Sequence, residues 1–224
     1  METLNVNVLV EDYTIYPRCQ VDNYHVKSMI DSLMVGVEFP AIVADKKSLR
    51  IADGFHRVKA TKKLYGKKGT ITVILKDYQT ESELFLDAVK FNSGHGRSLD
   101  KYDKTHCIIK AGELNISNIK IARALNLTKE KAGLLRVGRI ANQKIQTGKK
   151  KIVRHKIPLK YTIEHMAGKD LTQIQIDTNE KLSGMSPIFT VNQIIMLIEA
   201  DLLDKSNERL MDRMQHLKKL MNKF

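Results

Sequence analysis

Cysteine is almost missing from this chain of 224 residues, which holds only Cys19 and Cys107. Two thiols cannot build a disulfide framework, and neither lies at a spacing from other Cys or His residues that would complete a tetrahedral zinc site. Both are expected as reduced, packed thiols. Long apolar runs are absent as well: nowhere do eighteen apolar residues follow one another, so no membrane-spanning helix is expected. The opening Met1, Glu2 and Thr3 lack the basic, apolar and small-residue succession of a secretion signal, and the expected location is cytoplasmic. Acidic residues are scarce in one place above all. From Lys144 to Lys160 the sequence carries Lys144, Lys149, Lys150, Lys151, Arg154, Lys156 and Lys160 without a single Asp or Glu. The formal net charge of +13 would draw a polyanion strongly at low salt. Charge alone does not separate DNA from RNA or an acidic protein, so the placing of the cations has to decide.

What is present is a patterned globular chain, with 42% hydrophobic and 28% charged residues. Apolar residues alternate at Leu4, Val6, Val8 and Val10, which predicts a first strand. Val26, Met29, Ile30 and Leu33 recur at helical spacing behind Asp22, a residue suited to capping. Short apolar runs at Pro40 to Val43, Leu49 to Ala52 and Thr70 to Leu75 predict further strands, with a helix from Phe55 to Leu64. Beyond Thr80 helical patterns take over. Helices are expected over Glu81 to Lys90 and Asp100 to Ala111, separated by a glycine-rich break at Asn92 to Arg97.

The whole therefore predicts an α+β protein. A small mixed-sheet domain would span residues 1–98 and an all-α helix-turn-helix domain 99–143. A flexible or partly ordered basic arm would follow over 144–186, then C-terminal helices over 187–224. In the last of these, Leu210, Met214, Leu217, Met221 and Phe224 step by four and three, the seam of a helix docked on its own core or of a homodimer contact.

The segment Ile121-Ala122-Arg123-Ala124-Leu125-Asn126-Leu127-Thr128-Lys129-Glu130-Lys131-Ala132 has the logic of a helix-turn-helix. Ala122 lets two helices approach closely, Asn126 tolerates the left-handed conformation the turn requires, and Leu127 plugs the core behind it. Thr128 is suited to cap the second helix, which would aim Lys129, Lys131 and Arg136 at DNA. Lys149, Lys150, Lys151 and Arg154 of the basic run would add phosphate contacts. An ordinary helical hairpin with solvated lysines is the plainer alternative.

Two turns of the first module have chemistry suited to phosphate. Ala52-Asp53-Gly54-Phe55-His56-Arg57 joins a strand to a helix, so backbone N–H groups and the positive helix end face outward, with Arg57 as a planar fork of donors. Asn92-Ser93-Gly94-His95-Gly96-Arg97 offers close backbone approach, cations and an amide able to ligate magnesium.

Taken together these segments resemble the ParB/sulfiredoxin-like fold family. Gly36-Val37-Glu38-Phe39-Pro40-Ala41-Ile42-Val43 resembles its Gly-x-x-Gln-Pro-x-x-Val segment, Asp53 to Arg57 its Gly-Glu-Arg-Arg box, and Asn92 to Leu99 its third box. The likeness runs from about residue 4 to residue 140. Asn92, His95, Gly96, Leu99 and Asp103, with the Asp-Gly-x-His-Arg box, look most like ParB-domain transcriptional regulators of the streptomycin-pathway type. The resemblance implies double-stranded DNA as partner and CTP or another nucleotide with magnesium as cofactor. It implies nucleotide contacts from Gly54, His56, Arg57, Asn92, Gly94, His95, Gly96 and Arg97, with Asn92 as metal ligand. Phe39, His56 and Phe91 depart from the family pattern, and Phe91 stands where a glutamate is linked to hydrolysis. Enzymes sharing the fold are the rival class: an NTPase, a small-molecule kinase or a nuclease. A sulfiredoxin needs a cysteine where Phe55 stands, and without a thiolate that chemistry has no nucleophile. A basic RNA-binding or scaffold protein is a third alternative, although aromatic residues are sparse among the cations.

Overall fold

The apolar runs of the N-terminal half build one mixed sheet. In the computed structural model, which describes residues 1–94, 98–147, 151–182 and 187–223, its strands are β1 (Glu2–Asn5), β2 (Ile42–Asp45), β3 (Ile51–Asp53) and β4 (Thr70–Lys76). Their order is β1-β4-β2-β3, with β2 and β4 parallel and the outer pairs antiparallel. All four β2 residues are buried, as a central strand covered on both faces requires. The strand expected from Leu4 to Val10 is cut short. Asn5 Oδ1 accepts the Asn7 N–H at 2.9 Å, and Val6–Val8 becomes a 3-10 turn. A short polar side chain has offered the backbone an alternative to the ladder.

Helix α1 (Asn23–Met34) packs on α2 (Phe55–Tyr65), which itself packs on this sheet through Phe55 and Val58. The Asp22 carboxylate caps α1 by accepting the N–H groups of Tyr24 and His25 at 3.0 and 3.1 Å. Gly54 makes the β3-to-α2 junction at φ 101°, and a Cβ there would fall 2.4 Å from Ile42 Cγ2. Only glycine meets both conditions.

Helix α3 (Glu81–Gly94) extends past Lys90 as far as Gly94, into the first half of the break expected over Asn92 to Arg97, whose remainder lies outside the described residues. The Asn92 side-chain amide donates to the Ala88 carbonyl at 2.9 Å, which ties it to the turn before. Next come α4 (Lys101–Glu113), capped by Asp100, then α5 (Asn118–Ala124) and α6 (Lys129–Gly138). Phe85 and Ala88 of α3, Ile108 of α4, Leu125 of α5 and Ala132 of α6 share one core with Val43 and Ala52 of the sheet. Apolar packing thus crosses the boundary expected at residue 98.

The run expected to be a flexible or partly ordered basic arm is instead a hairpin. Strands β5 (Ile140–Thr147) and β6 (Lys151–Pro158) pair antiparallel, and β7 (Asp170–Leu171) joins β5 in parallel. Helix α7 (Gln173–Lys181) closes a small core of Ala141, Leu159, Leu171 and Ile176. The charge of the segment had concealed its alternation: Ala141, Gln143 and Ile145 share one face with Val153, His155 and Ile157, while Lys144, Arg154 and Lys156 share the other.

Residues 182–224 form a separate unit, containing α8 (Pro187–Glu199) and α9 (Glu208–Met221). Asn207 caps α9, and no described residue of either helix is buried. Leu210, Met214 and Leu217 of the four-and-three seam are half-buried, and Phe224 lies outside the described residues. Among the described residues no helix is long and apolar enough to cross a membrane.

Candidate functional site

The bihelical motif is built by local signals. Ser117 accepts the Lys120 N–H at 3.4 Å and starts α5. At the far end the Leu127 N–H reaches back to the Ala122 carbonyl at 2.9 Å, with Asn126 in the left-handed region at φ 53°. The Asn126 amide also donates to the Ser93 carbonyl at 3.2 Å, tying the turn to the end of α3. Thr128 accepts the Lys131 N–H at 3.2 Å and starts α6.

Helix α6 turns Ala132 and half-buried Leu135 inward and leaves Lys129, Glu130, Lys131, Gly133, Leu134, Arg136 and Val137 exposed. At about 100° per residue the outermost strip is Glu130, Leu134 and Val137, with Lys129 and Arg136 on one flank and Lys131 on the other. Leu134 is 72% and Val137 78% exposed, so the crest of this helix is apolar beyond the Glu130 carboxylate of its first turn, and its flanks are cationic. Among the described residues none of these three cations is held in an ion pair. The sequence had singled out the cations and overlooked the apolar crest, whose signal was Leu134 and Val137 standing opposite Ala132 on the helical wheel.

The turns expected to hold phosphate are arranged differently from their motifs. No side chain caps α2, so its N-terminal N–H groups face outward from Gly54. Arg57, however, spends its fork within the fold: Nη1 donates to the carbonyls of Pro40 and Ala41 at 2.6 and 3.0 Å, and Nη2 to Asp53 at 2.5 Å. It braces the loop before β2 against α2. His56 Nε2 accepts the Asp22 N–H at 3.3 Å and lies 3.5 Å from the Tyr16 hydroxyl. Burial, and then the neighbouring His25, Arg18 and Lys59, push its pKa from an ordinary 6.5 down to about 4. At neutral pH this imidazole carries no charge to offer a phosphate.

Asn92 and Gly94 close α3, and His95, Gly96 and Arg97 lie outside the described residues. The Asn92 Nδ2 is committed to Ala88, which leaves Oδ1 as the atom for a cation. Beside it the Ser93 Oγ is buried without a hydrogen-bond partner, a position that suits a polar ligand. The α2 terminus and Ser93 fit an anion or its hydroxyls, whereas Arg57 and His56 as held here add no charge to it. Among the described residues no group of three or more His, Cys, Asp or Glu gathers as a metal site.

Sequence reasoning missed a strap that ties the two modules together. Arg18, 8% exposed, directs Nη1 to Asp103 Oδ2 at 3.6 Å and to the Ser98 carbonyl at 3.5 Å. Asp103 Oδ1 accepts the Cys19 N–H at 2.9 Å, and the Cys107 thiol donates to the Pro17 carbonyl at 3.2 Å. Burial raises the Asp103 carboxyl above the usual carboxylate range, with Asp100 adding to it, against the opposing pull of Arg18 and the backbone donors. Burial likewise raises both thiols, so neither is a ready nucleophile. Asp103 belonged to the family pattern without a structural role; Arg18 had no pattern to mark it.

On the hairpin, Lys144 and Arg154 share the Asp170 carboxylate at 2.8 and 3.4 Å, and Lys156 is exposed. Lys151 opens β6, while Lys149 and Lys150 lie outside the described residues.

The chain thus carries an exposed, partly cationic pair of helices, joined by a tight turn, on a mixed α+β domain. It is similar to a curated protein of Streptomyces griseus named "Streptomycin biosynthesis operon possible regulatory protein", 31% identical over 118 residues. That match takes in 51% of this chain and 32% of the relative, so the chain spans about a third of the relative's length. Among solved structures it is similar to C-terminally truncated ParB of Caulobacter crescentus complexed to the centromeric parS site. There the identity is 11% and the TM-score 0.44, over 61% of this chain and 71% of that one. A Pnob8-like ParB-N domain is 19% identical with a TM-score of 0.42, over 61% of this chain and 66% of that one. The Caulobacter crescentus ParB complexed with CTP-gamma-S is 12% identical with a TM-score of 0.36, over 61% and 77%. No family model matches the chain.

Proposed function

We propose that this chain is a ParB-like DNA-binding protein of transcription control or partitioning, reading duplex DNA with α5 and α6. The observation that carries this is the exposure of α6: a helix anchored by Ala132 and the Thr128 cap, with Lys129, Lys131 and Arg136 on its flanks. Flanking cations suit the phosphates on either rim of a major groove, and an apolar crest suits thymine methyl groups. The likeness to a regulator-named protein supports the same role.

A nucleotide switch is the second part of the proposal. CTP or another nucleotide would lie against the N–H groups of α2 at Gly54 and the α3 end at Ser93, with magnesium on Asn92 Oδ1. Arg97, which lies outside the described residues, rather than Arg57 would supply the positive charge. Calorimetric titration with magnesium and each nucleoside triphosphate checks this: a saturable heat supports it, and no heat with any of them removes the switch. Selection of bound sequences from a random duplex pool tests the DNA-binding role, and an unenriched pool would refute sequence-specific binding.

A further inference from the structure

We infer that the β5–β6 hairpin is a DNA-binding wing, a second contact of fixed geometry beside α6; this rests on the DNA-binding role proposed above. The hairpin is not a loose appendage. Helix α6 ends at Gly138 and β5 begins at Ile140, with Arg139 alone between them. Arg139 is buried, pairs with Glu164 and lies 5.9 Å from the Tyr161 ring centre. Its carbonyl accepts the Leu159 N–H at 2.8 Å, so the base of the hairpin is fastened to the end of α6, and β6 lies along α4. A body that seats α6 on DNA carries the hairpin with it. Eight residues per strand reach about 26 Å, twice the roughly 12 Å width of a major groove, far enough to meet the backbone beyond its rim.

The charge pattern points the same way. Register sets Lys144 directly opposite Arg154, with Lys156 on the same face. Like charges facing one another across a ladder destabilise it. Here Asp170, brought alongside by β7, holds both cations and offsets that repulsion. The Lys144 and Arg154 side chains are still 49% and 64% exposed, as cations that exchange a carboxylate for phosphates would be. Lysines on an edge strand also guard against strand-to-strand aggregation, but that role leaves DNA affinity untouched.

The test is the salt dependence of binding by the full chain to one duplex. Replacing Arg154→Ala and Lys156→Ala should make the slope of log affinity against log salt shallower by about 1.8. The wild type then loses about 12-fold more affinity than the variant between about 50 and 200 mM salt. Asp170→Asn should act in the opposite sense and tighten binding several-fold by releasing two cations. Should the double variant fail to fold, Lys156→Gln and Asp170→Asn carry the test, with slope changes of about one unit and of opposite effect on affinity. A wild type that ignores duplex DNA, or prefers single-stranded RNA, overturns the proposed function and the wing with it. A wild type that binds duplex and weakens on Lys129→Ala with Lys131→Ala, yet is indifferent to all the hairpin changes, overturns the wing alone.

Discussion

Single residues carry distinct consequences in this chain, and Gly133 is the clearest. Nothing lies within 4 Å of a Cβ built there, so packing does not demand glycine at that position of α6. In the fold alone, Gly133→Ala should stabilise the helix by about 1 kcal/mol and raise Tm by about 2–4 °C. On DNA the same methyl group stands beside the crest of Leu134 and Val137, where the helix would approach most closely. Affinity should therefore fall as Tm rises; a variant that gains stability and keeps its affinity would show that α6 does not insert at Gly133. His56 gives a second test. Its folded pKa lies near 4 against an ordinary 6.5, so the unfolded chain binds the extra proton between those values. The stability His56 contributes is complete above pH 6.5 and is lost as pH falls toward 4. Asp103, with a raised pKa, works in the opposite sense in the acid range. In Tm measurements from pH 7 to pH 4, His56→Gln should lose less stability than the wild type over this window, and superimposable profiles would contradict the assignment.

At the scale of elements, Arg57 is a brace joining α2 to the loop ahead of β2. Arg57→Ala removes donors to two carbonyls and to Asp53, and should cost about 2 kcal/mol or more in chemical denaturation. An unchanged midpoint would return Arg57 to the role of a free phosphate fork. This division of labour was only partly legible beforehand. Asp22, Asn126 and Thr128 were readable because capping and left-handed turns are decided within a few residues of sequence. The β2 run was readable because a buried central strand is continuously apolar, and the β4 run because β-branched residues dominate it. The hairpin was not, since six cations in its span drew attention from a period-two pattern that places Ile145 with Val153 and Lys144 with Arg154. The strand expected at Leu4 to Val10 failed because one Asn5 oxygen outweighed the alternation. The Arg18–Asp103 contact joins residues far apart in sequence, and no spacing rule reaches that far. For the same reason Arg57 looked available: its partners Pro40 and Ala41 come from another element.

For the whole molecule, the questions are how many copies act together and what they act upon. The half-buried seam of Leu210, Met214 and Leu217 on α9 is two heptads long, and a homodimer through it is the proposal to test. Met214→Glu should shift sedimentation from dimer to monomer, and an identical sedimentation coefficient for both would exclude that seam as the contact. The excess of 38 Lys and Arg over 25 Asp and Glu is spread along the chain, so low-salt affinity for a polyanion says little by itself. What distinguishes a DNA reader is that particular cations set the salt slope. The decisive measurement is anisotropy of a labelled duplex titrated with the full chain from about 50 to 300 mM salt, for the wild type and for Lys129→Ala with Lys131→Ala. Saturable binding is expected with a linear log-log slope that becomes shallower by about two in the variant. No duplex binding at the lowest salt, or one slope shared by both proteins, would contradict a role for α6 on DNA.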